Sequence, residues 1–476
     1  MKFETLKCLI PVPQFVVPSG EKIFVDSIRT MSFAPEAADA AMELSKTFAY
    51  FKKQISVVSE DGNIEFICDF SLMSECWKIV LSAEKIHIFS ADKKGFRYAV
   101  GALKQMLFAA LNRGPRGAQL DCGTVEDQPR FGMRSFMLDS ARHFQSAETV
   151  KRVLALLAEF RINSFHWHLA DDQAWRIESA MTSEIAGDGE FDDGFYTKNE
   201  IIDIAEHAAK LGIEIIPEID FPGHSKRVLS LHPELACDPA ETCREFCIGN
   251  PESRKFLKMV LDEIMELFPN SPKLHLGGDE AETVHWEKCP VCAAALREKN
   301  LSDFRELEND FMKELAEYVI SKGRIPVLWA TCSGQKYPQA VIQQVWLGKL
   351  TELARIASEG HQMIFSIHNS LYFDYPADLS EPHESWMFEL SECGVYMTEP
   401  YILWENELKD LLLGTEACLW TEYIPEWRII PKLLPRIGAY AEVAWSHPEN
   451  KDYHDFRRRA DLLRASGYEE YLRTLR

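Results

Sequence analysis

The chain has 476 residues, and its 74 Asp and Glu outnumber its 52 Lys and Arg, which gives a formal net charge of −22. This charge opposes binding to nucleic acids, to anionic membrane surfaces and to polyanionic substrates, and it favours a neutral or small ligand. A hydrophobic content of 46% with 23 Pro and 24 Gly is typical of a globular protein that can bury a sizeable core.

The amino-terminal stretch, MKFETLKCLIPVPQFVVPSG, does not have the pattern of a signal peptide. Glu4, Lys7 and three prolines interrupt it before a continuous apolar run can form, so the h-region is missing. No later stretch reaches the roughly 18 consecutive apolar residues that predict a membrane span. We therefore expect a cytoplasmic protein.

Residues 1–125 alternate short β-like runs with helical runs, which predicts a small α/β domain. The run KIHIFS at Lys85–Ser90 has the alternation of a strand, and the apolar residues of Phe96–Leu111 recur at helical spacing. The polar stretch Asp121–Arg130, DCGTVEDQPR, predicts a domain boundary close to residue 125.

Residues 126–476 contain eight short apolar strands that alternate with helical segments such as Glu148–Phe160 and Ser253–Phe268. This α/β pattern predicts a (β/α)8 TIM-type barrel. Two amphipathic segments, Ile430–Trp445 and Tyr453–Leu475, are expected to form its last helices. The predicted strands are Ser135–Leu138, Ser164–Leu169, Ile213–Ile219, Leu274–Leu276, Pro326–Trp329, Gln343–Trp346, Met363–Ile367 and Ala417–Trp420.

Polar and aromatic side chains follow the predicted strands, at the end of the barrel where catalytic residues collect. The fourth strand runs through two glycines into Asp279 and Glu280, a carboxylate pair suited to acid–base chemistry, although an ordinary polar turn has a similar composition. The other candidates are Arg142, His166, His168, Asp171, His224, Trp329, Trp346, Tyr372, Asp374, Trp420 and Glu422.

Three predicted strands end in tryptophan, at Trp329, Trp346 and Trp420. A single tryptophan is usually a core residue, but three at strand ends beside Arg142 and several carboxylates indicate an aromatic-walled pocket. Sugars suit such a pocket because their C–H faces pack on aromatic rings, while their hydroxyls bind charged side chains. The sequence therefore predicts a carbohydrate site.

The adjacency of Asp279 and Glu280 bears on the mechanism. A conventional retaining glycosidase places its acid and its nucleophile about 5 Å apart across the anomeric carbon, usually on different strands. Neighbouring residues do not easily face each other in this way. If Glu280 is the acid, Asp279 addresses another part of the sugar, and the substrate supplies the nucleophile. A conventional two-carboxylate glycosidase is the competing hypothesis.

The HWH sequence supports a rival hypothesis, a metal-dependent barrel hydrolase. His166 and His168 share one face of a strand, so they could bind a catalytic metal together. The same spacing suits structural histidines that hydrogen-bond inside a barrel, and the further ligands of a metal-dependent hydrolase are not evident.

Five of the twelve cysteines lie after the third and fourth predicted strands. Cys237, Cys243 and Cys247 occur in ACDPAETCREFCIGN, and Cys289 and Cys292 form CPVC. A CxxC pair with further cysteines could hold a structural zinc ion. Reduced thiols in loops and disulfides are the alternatives, since the first group lacks the tight spacing of a second pair.

Six motifs, in order along the chain, resemble the β-N-acetylhexosaminidases of glycoside hydrolase family 20. They lie between about Pro129 and Trp445 and read LDSARHF, HWHLADDQAWRIE, EIDFPGH, HLGGDE, the Tyr-Phe-Asp of LYFD, and EACLWTE. Residues 1 to about 125 resemble the family's small amino-terminal α/β domain, mainly through IHIFSADKKGFRYAVGALKQML.

The resemblance implies substrate-assisted catalysis without a cofactor, in which the 2-acetamido carbonyl oxygen attacks the anomeric carbon. Glu280 would be the general acid and later the base, and Asp279 would orient the acetamido group. Tyr372 would hydrogen-bond the acetamido oxygen, with His224 and Asp171 as a relay behind the acid. The remaining implied contacts are Trp329, Trp346 and Trp420 around the acetamide and the sugar face, and Arg142, Asp374 and Glu422 on the sugar hydroxyls.

The implied activity is the removal of terminal, non-reducing β-GlcNAc or β-GalNAc from oligosaccharides or glycoconjugates. A catalytically inactive sugar-binding homologue is the alternative within the same fold, and it would keep the aromatic pocket but lack the acid. The intact GGDE motif and the presence of His224 and Asp171 favour the enzyme.

Overall fold

The computed structural model describes residues 5–111, 117–180, 184, 186–187, 189–240, 243–330, 337–348, 356, 358–401 and 406–475. It contains a seven-stranded sheet followed by a closed barrel, as the sequence predicts. The sheet has the strand order β1-β7-β5-β6-β4-β2-β3. Its elements are β1 Phe15–Phe24, β2 Thr30–Phe33, α1 Ala38–Tyr50, β3 Ser56–Val57, β4 Ile64–Cys68, β5 Trp77–Leu81, β6 Ile86–Ser90, α2 Lys93–Leu111 and β7 Gln119–Asp127.

The predicted strand KIHIFS and the helix after it are both present, as β6 and α2. The polar stretch at the predicted domain boundary is not a linker, because β7 occupies most of it and pairs with β1 and β5. Buried residues alternate with partly exposed ones along most of β7, and the partly exposed positions are polar, as in an ordinary strand with one face on a core. The first sheet thus continues to Asp127, two residues beyond the expected boundary.

Eight parallel strands form the barrel in sequence order, so each βα unit lies beside the next and the last strand pairs with the first. This arrangement confirms the predicted (β/α)8 fold. All eight predicted strands are present, and the last one begins five residues earlier than expected. They are β8 Met133–Asp139, β9 Ser164–His168, β10 Glu214–Glu218, β11 Lys273–His275, β12 Ile325–Trp329, β13 Ile342–Val345, β14 Met363–Phe365 and β15 Leu412–Leu419.

The helices of the barrel include those expected from periodicity, with small shifts at their ends. Only the closing segment differs, since Gly467, at a φ of 78°, separates two helices there. None of the helices in the described residues is both long and apolar enough to cross a membrane. The helices are α3 Ala147–Glu159, α4 Lys198–Lys210, α5 Lys226–Leu231, α6 Pro251–Leu267, α7 Val284–Lys288, α8 Pro290–Glu298, α9 Phe304–Ser321, α10 His368–Leu371, α11 Glu392–Tyr396, α12 Ile429–Trp445, α13 Tyr453–Ala465 and α14 Tyr468–Arg473.

Buried ion pairs join the first sheet to the amino-terminal end of the barrel. Arg134, at the start of β8, bonds to Glu75 at 2.6 Å, and Arg161, just before β9, bonds to Asp127 at 2.5 Å. Asp127 also accepts a hydrogen bond from the Trp445 indole. The small domain therefore packs at the opposite end of the barrel from the strand ends that carry the candidate residues.

Candidate active site

The two glycines after β11 shape the turn that presents the carboxylate pair. Gly277 and Gly278 have φ values of 67° and 99°, and a Cβ on Gly277 would lie 1.7 Å from the Asp220 carboxyl oxygen. Only glycine fits this approach. The Gly278 N–H donates to Asp220 Oδ1 at 3.0 Å. The turn directs Asp279 inward, where it is buried, and leaves the Glu280 side chain 56% exposed.

His224 and Glu280 lie side by side, with His224 Nε2 and Glu280 Oε2 3.6 Å apart. Both residues have a φ of 50°, in the left-handed region that non-glycine residues seldom adopt. Such strain persists only where the surrounding structure imposes it, and it concentrates at functional sites.

A chain of alternating carboxylates and imidazoles extends from Glu280 into the barrel. His224 Nδ1 lies 3.1 Å from Asp171 Oδ1, and Asp171 Oδ2 lies 2.9 Å from His168 Nε2. The other ring nitrogen of His168 hydrogen-bonds Glu218. The expected neighbours His224 and Asp171 are therefore together, and the chain continues through two residues that were not expected to belong to it.

Opposite charges along this series of hydrogen-bonded residues stabilise one another. Burial would raise the pKa of Asp171, but Arg142, 2.7 Å away, and His224 hold it well below its usual range. Burial would likewise lower the pKa of His224, but the Asp171 carboxylate raises it well above the usual value. His224 is thus an imidazolium held by a carboxylate, with its second N–H beside Glu280.

Contact with this imidazolium lowers the pKa of Glu280, and partial burial opposes the effect. This direction disfavours the protonated form that a general acid needs. A sugar lying over Glu280 would remove water from its exposed carboxyl group, and loss of solvent raises a carboxyl pKa. Substrate binding and protonation of Glu280 are therefore expected to favour each other.

Asp279 is supported by a second acid, Asp220, which was not among the candidates. Burial and the charge of Asp279 raise the pKa of Asp220 well above its usual range, which favours a protonated Asp220 that can share its proton with Asp279. Burial, with Glu218 and Glu280, raises the pKa of Asp279 itself to about 6 against the effect of His224. Asp220 follows β10 in EIDFPGH, and this position at a strand end is the sequence feature that could have identified it as a site residue.

One oxygen of Asp279 can accept a hydrogen bond that the described residues do not supply. Oδ1 is buried and has no hydrogen-bond partner among the described residues. A buried carboxylate oxygen without a partner is costly, so it points to a donor supplied by a ligand. An amide N–H is such a donor.

Three of the predicted aromatic side chains lie close together at the carboxyl ends of the barrel strands. Trp329 is fully buried, donates its indole N–H to Glu218 at 2.7 Å, and lies 5.9 Å from the Trp420 ring. Tyr372 lies 6.2 Å from Trp420 on the other side. The buried Trp346 indole nitrogen has no partner among the described residues, which leaves it free to donate.

Three charged candidates lie beside the aromatic wall. The Arg142 guanidinium stacks 5.0 Å from the Trp420 ring and lies 3.8 Å from Glu422. Burial, with a contribution from Glu422, raises the pKa of Asp374 to about 8, and its buried Oδ1 has no partner in the described part of the chain. These groups offer donors and acceptors suited to hydroxyls.

The two histidines of HWH are engaged with carboxylates. His166 lies 2.9 Å from Glu416 and 3.1 Å from Glu218, and these charges raise its pKa to about 9 although burial opposes them. Both ring nitrogens of His168 are bonded to Glu218 and Asp171. The contacts therefore match the structural role considered for these histidines.

Comparison with known proteins identifies the family of the barrel domain. The model of the glycosyl hydrolase family 20 catalytic domain matches residues 131–448. A β-hexosaminidase of Porphyromonas gingivalis is 31% identical over 95% of this chain and 62% of its own length, and one of Akkermansia muciniphila is 29% identical over 82% and 83%.

Solved structures match over the whole fold. An exo-β-N-acetylglucosaminidase of Vibrio harveyi, solved in complex with N-acetylglucosamine, has a TM-score of 0.90 and 27% identity, covering 100% of this chain and 79% of its own. A β-N-acetylhexosaminidase of Bacteroides fragilis has a TM-score of 0.85 and 28% identity over 98% and 96%. The chain therefore belongs to glycosyl hydrolase family 20.

Proposed function

We propose that this protein is an exo-acting β-N-acetylhexosaminidase that removes terminal, non-reducing β-GlcNAc or β-GalNAc from oligosaccharides or glycoconjugates. The observation that carries the proposal is the buried, unpartnered oxygen of Asp279, one residue from the exposed Glu280. A 2-acetamido N–H would satisfy that oxygen. The names of the related proteins and the membership in family 20 support the same activity.

In the first step, the acetamido carbonyl oxygen attacks the anomeric carbon while Glu280 gives its proton to the leaving oxygen. The C1–O bond breaks and an oxazolinium-type ring forms. Its positive charge lies beside the Asp279 carboxylate, which accepts the amide N–H, and Tyr372 donates to the acetamido oxygen. Electrostatic stabilisation of this developing charge is a large catalytic contribution.

In the second step, Glu280 takes a proton from water, and the water oxygen attacks the anomeric carbon. The ring opens and the acetamido group is restored. Two inversions give net retention of configuration. The imidazolium of His224 would favour the ionised Glu280 that this step requires, since it lowers the pKa of Glu280.

The mechanism predicts a strong dependence on the 2-acetamido group. We expect turnover of aryl β-GlcNAc or β-GalNAc glycosides, negligible turnover of the matching β-glucoside, and competitive inhibition by a thiazoline that mimics the cyclised intermediate. Comparable hydrolysis of the β-glucoside would instead favour a conventional two-carboxylate glycosidase. Sugar binding with no turnover of any β-hexosaminide would favour the inactive homologue.

The protonated state of Asp220 gives a separate prediction. Asp220→Asn should stay close to the wild-type rate, because its amide donates to Asp279 and its oxygen still accepts from Gly278. Asp220→Ala removes a hydrogen bond to a charged group, worth about 1.5–3 kcal/mol, and should lower kcat/KM about 10- to 100-fold. Steady-state kinetics test this, with thermal unfolding as the control. A large loss in the Asn variant would mean that Asp220 is ionised.

We further propose that the protein works in the cytoplasm on neutral glycans, with no role for nucleic acid or a membrane surface. The eleven cysteines in the described residues are all free of disulfides, as suits a reducing compartment. The net charge of −22 repels polyanions. Immunolocalisation in the source cells, with a periplasmic or secreted fraction as comparison, tests this assignment.

A further inference from the structure

Four of the five cysteines highlighted by the sequence converge at one point. The sulfur atoms of Cys237, Cys247, Cys289 and Cys292 all lie within 4.8 Å of one another. The Sγ–Sγ distances are 3.7 Å for Cys237–Cys292, 3.7 Å for Cys247–Cys289 and 3.5 Å for Cys247–Cys292. The fifth, Cys243, is outside this group, and its thiol contacts the Asp238 carbonyl at 3.7 Å.

These distances match the edges of a metal–thiolate tetrahedron. With Zn–S bonds of about 2.3 Å, ideal tetrahedral geometry places neighbouring sulfurs about 3.8 Å apart. A disulfide needs about 2.05 Å. Cys247, Cys289 and Cys292 are buried and Cys237 is half-buried, so the site is enclosed with one accessible corner.

The backbone brings the two pairs together over a long sequence separation. Cys289 precedes α8 and Cys292 lies in its first turn, so the CxxC pair spans the start of this helix. On the other side, the Cys247 N–H donates to the Leu235 carbonyl, and Ala236 bridges Phe246. A Cβ at Gly249 would lie 2.6 Å from the Cα of Cys292, so only glycine permits this close approach.

We propose that Cys237, Cys247, Cys289 and Cys292 bind one zinc ion as a structural site with four thiolate ligands. Four thiolates in a tetrahedron select zinc or iron among common metals, and zinc is the usual ion of closed structural sites. This assignment decides between the alternatives left open by the sequence, and it is independent of the glycosidase chemistry.

The zinc ion would tie together the two loops that hold the acid and its histidine. One loop, after β10, carries His224, and Ser225 donates to the Arg244 carbonyl at 2.9 Å within it. The other, after β11, carries Glu280, and His285 there lies 3.1 Å from Glu245 of the first loop. The metal would fix the distance between these two loops without contacting the substrate.

The test is metal analysis of the purified chain. We expect one zinc per chain, and cobalt substitution should give the thiolate-to-metal absorption bands of a tetrahedral sulfur site. Cys247→Ser and Cys289→Ser should lose most of the metal. Cys68→Ser is the matched control, because Cys68 lies in β4 of the first sheet, and it should keep the full complement.

A measurement on the wild-type chain covers the case in which the serine variants fail to fold. Titration with an organomercurial should release one zinc ion as four thiolates are converted to mercury mercaptides, and thermal stability should fall when zinc is withheld during expression. Substoichiometric metal after refolding with zinc, a disulfide within the cluster, or stoichiometric iron in its place would each overturn the assignment. Glycosidase activity plays no part in these readouts.

Discussion

Replacing Glu280 with glutamine is expected to lower the hydrolysis of a β-GlcNAc glycoside by about 10²–10⁴-fold, the range for loss of a general acid. The amide keeps the size of the side chain but cannot give a proton to the leaving oxygen. The loss should be greatest for alkyl or sugar leaving groups. In kcat/KM, which reports the first step alone, the loss should be much smaller for a dinitrophenyl glycoside, which departs without protonation.

The control is the dependence of the rate on the leaving group in both proteins. In the variant, kcat/KM should fall steeply as the leaving-group pKa rises, whereas the wild-type enzyme should show a shallow dependence. An equal loss for all leaving groups would mean that Glu280 does not protonate the glycosidic oxygen. Wild-type rates would contradict the assignment of the acid altogether.

Replacing Asp279 with asparagine is expected to reduce turnover by about 10²–10³-fold, because a preorganised charge opposite the developing cation is lost. Here the loss should be similar for good and poor leaving groups, since proton donation by Glu280 is intact. This contrast separates the roles of two adjacent carboxylates in one experiment.

The thiazoline inhibitor gives an independent readout for Asp279. Its affinity should fall in Asp279→Asn in proportion to the loss of kcat/KM, because the inhibitor mimics the charged intermediate. Glu280→Gln should bind the inhibitor with less change. Undiminished thiazoline binding by the Asp279 variant would show that this carboxylate does not contact the acetamido group.

The sequence predicts the barrel because each strand is a compact apolar run and each polar candidate follows one. Trp420 after β15 and Asp171 after β9 could be placed at one end of the barrel on that basis alone. The contact between Asp171 and His224 was implied by the family resemblance, and it is possible because neighbouring strands present their ends side by side.

Other features depend on distances that residue order does not encode. Asp220 stood in a recognised motif, but its proton results from burial beside Asp279. The sulfur cluster joins Cys237 to Cys292 through loops whose paths no periodicity specifies. The first sheet extends past the boundary expected near residue 125. The polar composition of β7 resembles that of a linker, and only its burial pattern identifies it as a strand.

The left-handed backbone at His224 and Glu280 limits how this protein can change. Each such residue costs on the order of 1–3 kcal/mol relative to a relaxed conformation. Glycine or asparagine would relieve that cost at either position, but neither side chain can take over the proton transfer. Selection for stability alone would therefore remove the acid and its partner first, and a family member without activity would be expected to have lost its catalytic residues at these two sites.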